Sequence, residues 1–129
     1  MYALVGYLAT STVSKTIMHL IKIRALQING CTFCLDMHTK EALKDGETSQ
    51  RIFLLNAWKD SGLFSPEEQA ILALTEEVTL INKEGVTDET CNRAAALFDE
   101  AYLSQVIMAI VTINAWNRIA ITRKSALPK

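Results

Sequence analysis

The stretch from Lys15 to Ile28 places apolar residues at Ile17, Met18, Leu20, Ile21, Ile23, Ala25, Leu26 and Ile28. Wound as an α-helix, they cover too much of the circumference for a helix with one face in water. Such a helix has to lie centrally or face two partners at once, and the rest of the chain must be arranged around it. Nothing in the chain alternates convincingly as a strand. Five glycines and two prolines, none of them clustered, leave no linker, repeat or low-complexity tract. A chain of 129 residues, half of them hydrophobic, suffices for one domain that buries roughly two-thirds of its unfolded surface. The expectation is an all-α, single-domain helical bundle.

Start and stop signals divide that bundle. Asn29-Gly30 closes the first long helix, because both residues tolerate a left-handed backbone. A second helix is expected from about Cys31 to Asp45, with Gly46 ending it, and a third from about Ser49 to Lys59 carrying Ile52, Leu55 and Trp58. After the turn Ser61-Gly62-Leu63-Phe64, the run Ser65-Pro66-Glu67-Glu68 reads as a capping box with proline at the first helical position. Ile71, Leu74, Val78 and Ile81 recur behind it. Thr87-Asp88-Glu89 opens a helix expected to turn Cys91, Ala94, Ala95 and Phe98 inward, and a long last helix spans about Glu100 to Thr122.

Thirteen basic against fourteen acidic residues leave a net charge of −1, and no run of one sign could track a phosphate backbone. Nucleic acid is not an expected partner. The opening Met1-Tyr2-Ala3-Leu4-Val5-Gly6-Tyr7-Leu8 has no basic residues before its apolar stretch, so no secretory signal is indicated. The longest apolar run, Val106 to Ile113, falls short of the roughly 18 to 20 residues that span a bilayer. A soluble, cytoplasmic protein without membrane contact is expected. Three cysteines are too few and odd in number for a secreted disulfide framework. Cys91 stands apart and is expected to be core packing, whereas Cys31 and Cys34 form a C-x-x-C pair.

On a helix, Cys31, Cys34 and His38 fall at i, i+3 and i+7, one face. Cysteines three apart meet the geometric window for a disulfide with little backbone movement, so the pair can store or release two electrons. Unpaired amides and the positive dipole end of a first turn favour thiolate over thiol. His38 adds a group that titrates near neutrality and can exchange a proton with Cys34. The strand pattern of a thioredoxin fold is missing. Zinc held by Cys31, Cys34, His38 and His19 is the alternative, and a pair buried only for packing is another; zinc sites of this kind usually bridge loops rather than run along one helix. The redox reading calls for no cofactor and no resident metal.

Around these residues the sequence resembles the alkylhydroperoxidase D-like branch of the carboxymuconolactone decarboxylase superfamily. The resemblance is carried by Leu20 to Ala25, Gln27 through Cys31 to Asp36-Met37-His38-Thr39-Lys40, Gly46-Glu47-Thr48, Gln50-Arg51, Leu55-Asn56-Ala57-Trp58, Phe64-Ser65-Pro66 and Ile113 to Arg118. It covers Met18 to Ile121, with a single domain over 1–129 and a core of about 15–122. It implies an all-helical trimer or hexamer that reduces hydrogen peroxide or organic hydroperoxides. Carried over, Cys34 attacks the peroxide, Cys31 closes the disulfide and His38 moves the proton, while a lipoyl or thioredoxin-like dithiol protein acts as reductant. The helix dipole alone, by contrast, favours Cys31 as the more acidic thiol. Other functions open to such a chain are the lactone decarboxylation that names the superfamily, or a non-catalytic oligomer that senses redox state or binds zinc.

One departure stands twelve residues before Cys31, where relatives carry a glutamate of the proton relay and this chain has His19. It serves either as an altered relay group or as a histidine on the polar side of its helix, in line with Lys15 and Lys22. A second departure is the short N-terminus, where residues 1–14 are expected to pack on a neighbour through Tyr2, Leu4, Val5 and Leu8. Trp58, Trp116, Asn114 and Asn117 read as core or subunit contacts, and Arg118 as an interface or capping residue. The last helix, with Leu103, Val106, Ile107, Ile110, Val111, Ile113 and Ile119, holds more apolar surface than a small monomer hides easily.

Overall fold

Helix α2, Lys15–Asn29, is the axis of the structure, a computed structural model that describes residues 2–127. Ser14 caps it by accepting from the Ile17 amide, and Gly30 ends it in the left-handed region at φ 72°. It buries two sides. Ile17, Ile21, Ala25 and Leu26 join Ile71 and Leu74 of α6 (Pro66–Thr79) and Val106, Ile110 and Ile113 of α9 (Glu100–Thr122). Leu20 and Ile23 join a second cluster with Ile52, Leu55, Trp58, Phe64 and Leu72. The all-round apolar pattern is thus satisfied by two cores, one on each side of the helix.

Helix α1, Tyr2–Ala9, lies against α9 of its own chain, and Leu8 packs on the first core. The side chains of Tyr2, Leu4 and Val5, on which the expected N-terminal contact also rests, lie outside the described residues. Beyond Gly30, α3 runs from Thr32 to Lys44 and folds back along α2. No strand occurs among the described residues.

The third expected helix is not continuous. It divides into α4 (Ser49–Phe53), a 3₁₀ turn (Leu55–Ala57) and α5 (Trp58–Ser61). Ile52, Leu55 and Trp58 recur every third residue and all reach the second core. An α-helix would rotate them progressively off that core, whereas three residues per turn keeps them aligned. Arg51 ties this segment down: Nε donates to Glu47 at 2.9 Å, Nη2 to Glu68 at 2.6 Å and Nη1 to the Leu63 carbonyl at 2.9 Å. Glu68 also completes the capping box with Ser65 at the start of α6. Trp58 Nε1 donates to Glu76, which accepts from Arg24 of α2 at 2.8 Å.

After α7 (Ile81–Glu84), helix α8 runs from Asp88 to Leu97 behind its Thr87 cap. Its inward face differs from expectation. Thr90 and Ala94 are buried, Cys91 and Ala95 are exposed, and Phe98, just beyond the helix, is half-buried. The cause is a polar tie: Glu77 of α6 accepts from the Thr87 amide at 2.7 Å and from the Thr90 hydroxyl, which turns Thr90 rather than Cys91 toward the bundle. On α9 the Asn114 amide acts as a structural tie. Asn114 accepts from Asn29 at 2.9 Å, donates to Thr79, and its carbonyl accepts from Arg118. Asn117 is fully buried.

Candidate active site

Gly30 reverses the chain between α2 and α3, and the next residue, Cys31, is the N-cap of α3. Its backbone is extended, its carbonyl accepts from Leu35 at 2.8 Å, and its side chain makes no capping hydrogen bond. A cap residue normally offers an oxygen to the amides of the first turn; Cys31 offers none, its sulfur being bonded to Cys34. Cys34 stands in that first turn. The two residues have Cα atoms 5.4 Å apart and are joined as a disulfide. Both are buried, in contact with the first core beside Ile17, Ile21 and Leu26.

His38 lies one turn past Cys34, its side chain only 12% exposed, with Nδ1 3.1 Å from a carboxylate oxygen of Glu41. Burial pushes its ring below the ordinary imidazole range, and the charge of Lys22 acts in the same direction while Glu41 opposes both. The ring is therefore held neutral near pH 7 and is able to accept a proton.

His19 projects from α2 on the stripe of Lys15 and Lys22, but it is itself buried rather than open to water. Its Nε2 is 2.7 Å from Oδ2 of Asp45, the C-cap of α3, while Nδ1 is buried and has no hydrogen-bond partner among the described residues. The ring beside it holds the Asp45 carboxyl below the usual carboxylate range. The structure thus brings Cys31, Cys34 and His38 onto one face of α3 and sets His19 across from its far end.

Asp45 is the residue that the sequence reading does not single out. The available signal was spacing: positions 31, 34, 38, 41 and 45 recur at three and four residues, a single stripe on a helix. The opposite face of α3 lines a groove of about 730 Å³ with Thr32, Leu35, Asp36, Thr39 and Leu43. The sulfurs do not line it. No group of three or more His, Cys, Asp or Glu side chains among the described residues is arranged to hold a metal ion, and no described helix is long and apolar enough to cross a membrane.

Comparison with known proteins agrees with this geometry. The chain is 47% identical over 115 residues to the uncharacterized protein YdfG of Bacillus subtilis, covering 89% of this chain and 78% of YdfG. It is 28% identical over 100 residues to the uncharacterized protein YnjA of Escherichia coli, of which it spans 54%. The crystal structure of ATU0492 from Agrobacterium tumefaciens, a protein of unknown function provisionally named as the antioxidant defence protein AhpD, superposes with a TM-score of 0.95 at 38% identity. That match covers 99% of this chain and 88% of ATU0492. Residues 2–77 match the carboxymuconolactone decarboxylase family. With that match, the helical fold it shares with ATU0492 and the C-x-x-C pair at the head of α3, the chain belongs to the carboxymuconolactone decarboxylase family, in its alkylhydroperoxidase D-like branch.

Proposed function

We propose that the chain is a thiol-dependent peroxidase, a disulfide oxidoreductase that reduces hydrogen peroxide or small organic hydroperoxides with the Cys31–Cys34 dithiol. The observation that carries this reading is the disulfide at the head of α3 with the largely buried His38 ring one turn beyond it. The provisional antioxidant role of ATU0492 points the same way.

In the reduced protein His38 takes the Cys34 proton, and the thiolate attacks the nearer peroxide oxygen. The O–O bond breaks, Cys34 becomes a sulfenic acid, and the departing alkoxide or hydroxide takes the proton back from His38. Cys31 then attacks the sulfenic sulfur, forming the disulfide and releasing water. Two electrons from two thiols thereby convert one hydroperoxide to an alcohol and water. A dithiol such as a lipoyl group or a thioredoxin-like protein restores both thiols by exchange. A homotrimer or hexamer in the cytoplasm fits this cycle, since a reducing compartment keeps the resting pair available.

The test is peroxide consumption by the reduced protein with dihydrolipoamide or thioredoxin, together with dimedone trapping in a Cys31→Ser variant. Turnover lost in Cys34→Ser, and a dimedone adduct on Cys34, are the expected results. An active enzyme whose Cys34 is never modified would sink the reading. So would a Cys31→Ser, Cys34→Ser double variant that keeps full activity on a carboxymuconolactone, a reaction that has no need of paired thiols.

A further inference from the structure

A side-chain tie holds the turn that carries Cys31, and the cycle above makes no use of it. Asn29, the last residue of α2, donates from Nδ2 to Oδ1 of Asn114 at 2.9 Å, two residues before the first cysteine. The Asn114 amide is itself fixed. Its Nδ2 donates to the Ile110 carbonyl at 2.9 Å and to the Thr79 hydroxyl at 3.0 Å, while Oδ1 also accepts from Nη1 of Arg118 at 3.1 Å. A carbonyl only accepts and a guanidinium only donates, so the amide has one orientation, with both N–H groups and both lone pairs in use. Asn114 thereby pins the end of α2 to α6 and α9 at once. Between Asn29 and Cys31 stands only Gly30, in the left-handed region, and the amides of Gly30 and Cys31 both donate to the Leu26 carbonyl, at 2.9 and 3.3 Å.

We propose that Asn114 is a positioning residue for Cys31: through Asn29 it holds the reversal at Gly30 in the form that keeps Cys31 against Cys34 when the disulfide opens. In the oxidised chain the S–S bond itself holds the two Cα atoms 5.4 Å apart. Reduction removes that bond, and Cys31, whose side chain makes no capping hydrogen bond on α3, is then located by its backbone and by the residues before it. The bond between Asn29 and Asn114 involves no sulfur and outlasts the change. It limits the conformations open to the reduced turn, which raises the effective concentration of one sulfur at the other. The pair then recloses readily, and the disulfide is harder to reduce. The proposal rests on the peroxidase reading for its physiological use, where the same restraint speeds the attack of Cys31 on the Cys34 sulfenic acid, forming the S–S bond and releasing water.

The experiment equilibrates the intact protein in buffers of reduced and oxidised dithiothreitol and reads the thiol fraction at Cys31 and Cys34 by alkylation and mass spectrometry, with peroxide consumption recorded beside it. In the exchange the S–S bond breaks, both cysteines take a hydrogen from dithiothreitol, and the reagent closes into its own cyclic disulfide, so two electrons pass. Asn29→Ala should shift the equilibrium about fivefold toward the dithiol, the worth of one net hydrogen bond, which raises the potential by about 20 mV. Asn114→Leu should do the same, and the double variant should shift it no further, because both substitutions break one bond. Asn114→Asp keeps the oxygen that Asn29 and Arg118 address and should stay near the parent value. A purely structural tie predicts lower urea midpoints with an unchanged potential, and a turn strained against the disulfide predicts a lower potential. Either result in a folded Asn29→Ala protein overturns the proposal, as do fully additive shifts in the double variant. A raised potential in Asn29→Ala, when the parent consumes no peroxide, leaves the positioning role standing and removes only the peroxidase reading.

Discussion

His38 is a base because of where its ring sits. Burial and Lys22 outweigh Glu41 and hold its pKa below the ordinary value, so in the folded chain the ring stays neutral where an unfolded chain begins to bind a proton. Two consequences follow in one direction. The acid limb of turnover attributable to His38 should lie below about pH 6.5, and His38→Gln should lose most of the activity and, in what remains, that limb. Stability should also fall as pH drops from about 6.5 through the folded value, because there the unfolded state holds more protons. Urea denaturation at pH 7.5 and 5.5 should show a smaller decline in His38→Gln than in the parent. His19 is legible in the sequence only as a candidate, since whether it faced water or the bundle depended on where α3 lay. Its partner comes from 26 residues away. Cys91 reads as core by residue type, yet it is exposed, because a hydroxyl–carboxylate contact between Thr90 and Glu77 sets the rotation of α8.

At the scale of elements, the site depends on a one-residue turn. Gly30 holds φ 72°, and a Cβ built there meets nothing within 4 Å. The cost of Gly30→Ala is therefore backbone strain without a clash, about 1 kcal/mol in urea denaturation. A loss several times larger would mean that the turn is held by contacts rather than by glycine's conformational freedom. Helix limits set by caps are readable in advance: Ser65 with Glu68, Thr87 and the span of α9 all fall where local chemistry places them. The broken segment after Ser49 is not, because a threefold recurrence of Ile52, Leu55 and Trp58 looks helical until the position of the second core shows that the chain must tighten to satisfy it.

The whole molecule leaves apolar surface uncovered. Ile107, Val111, Ile119 and Ile121 are each between 38% and 44% exposed along α9 in the single chain, which supports the proposed homo-oligomer because a strip of this kind is costly in water. Ile107→Asp with Val111→Asp should shift the protein in light scattering from three or six times the mass of one chain to a single chain, and unchanged mass would place the interface elsewhere. The sequence by itself determined the helical class, the central place of α2, most caps and the stripe of Cys31, Cys34 and His38. All of these are local consequences of residue spacing, with neighbours no more than seven positions apart. Only the tertiary structure decided that His19 is buried against Asp45, that Cys91 faces out and that α4 gives way to a 3₁₀ turn. Each of these follows from contacts between elements distant in the chain, where packing and polar pairing override what local pattern prefers.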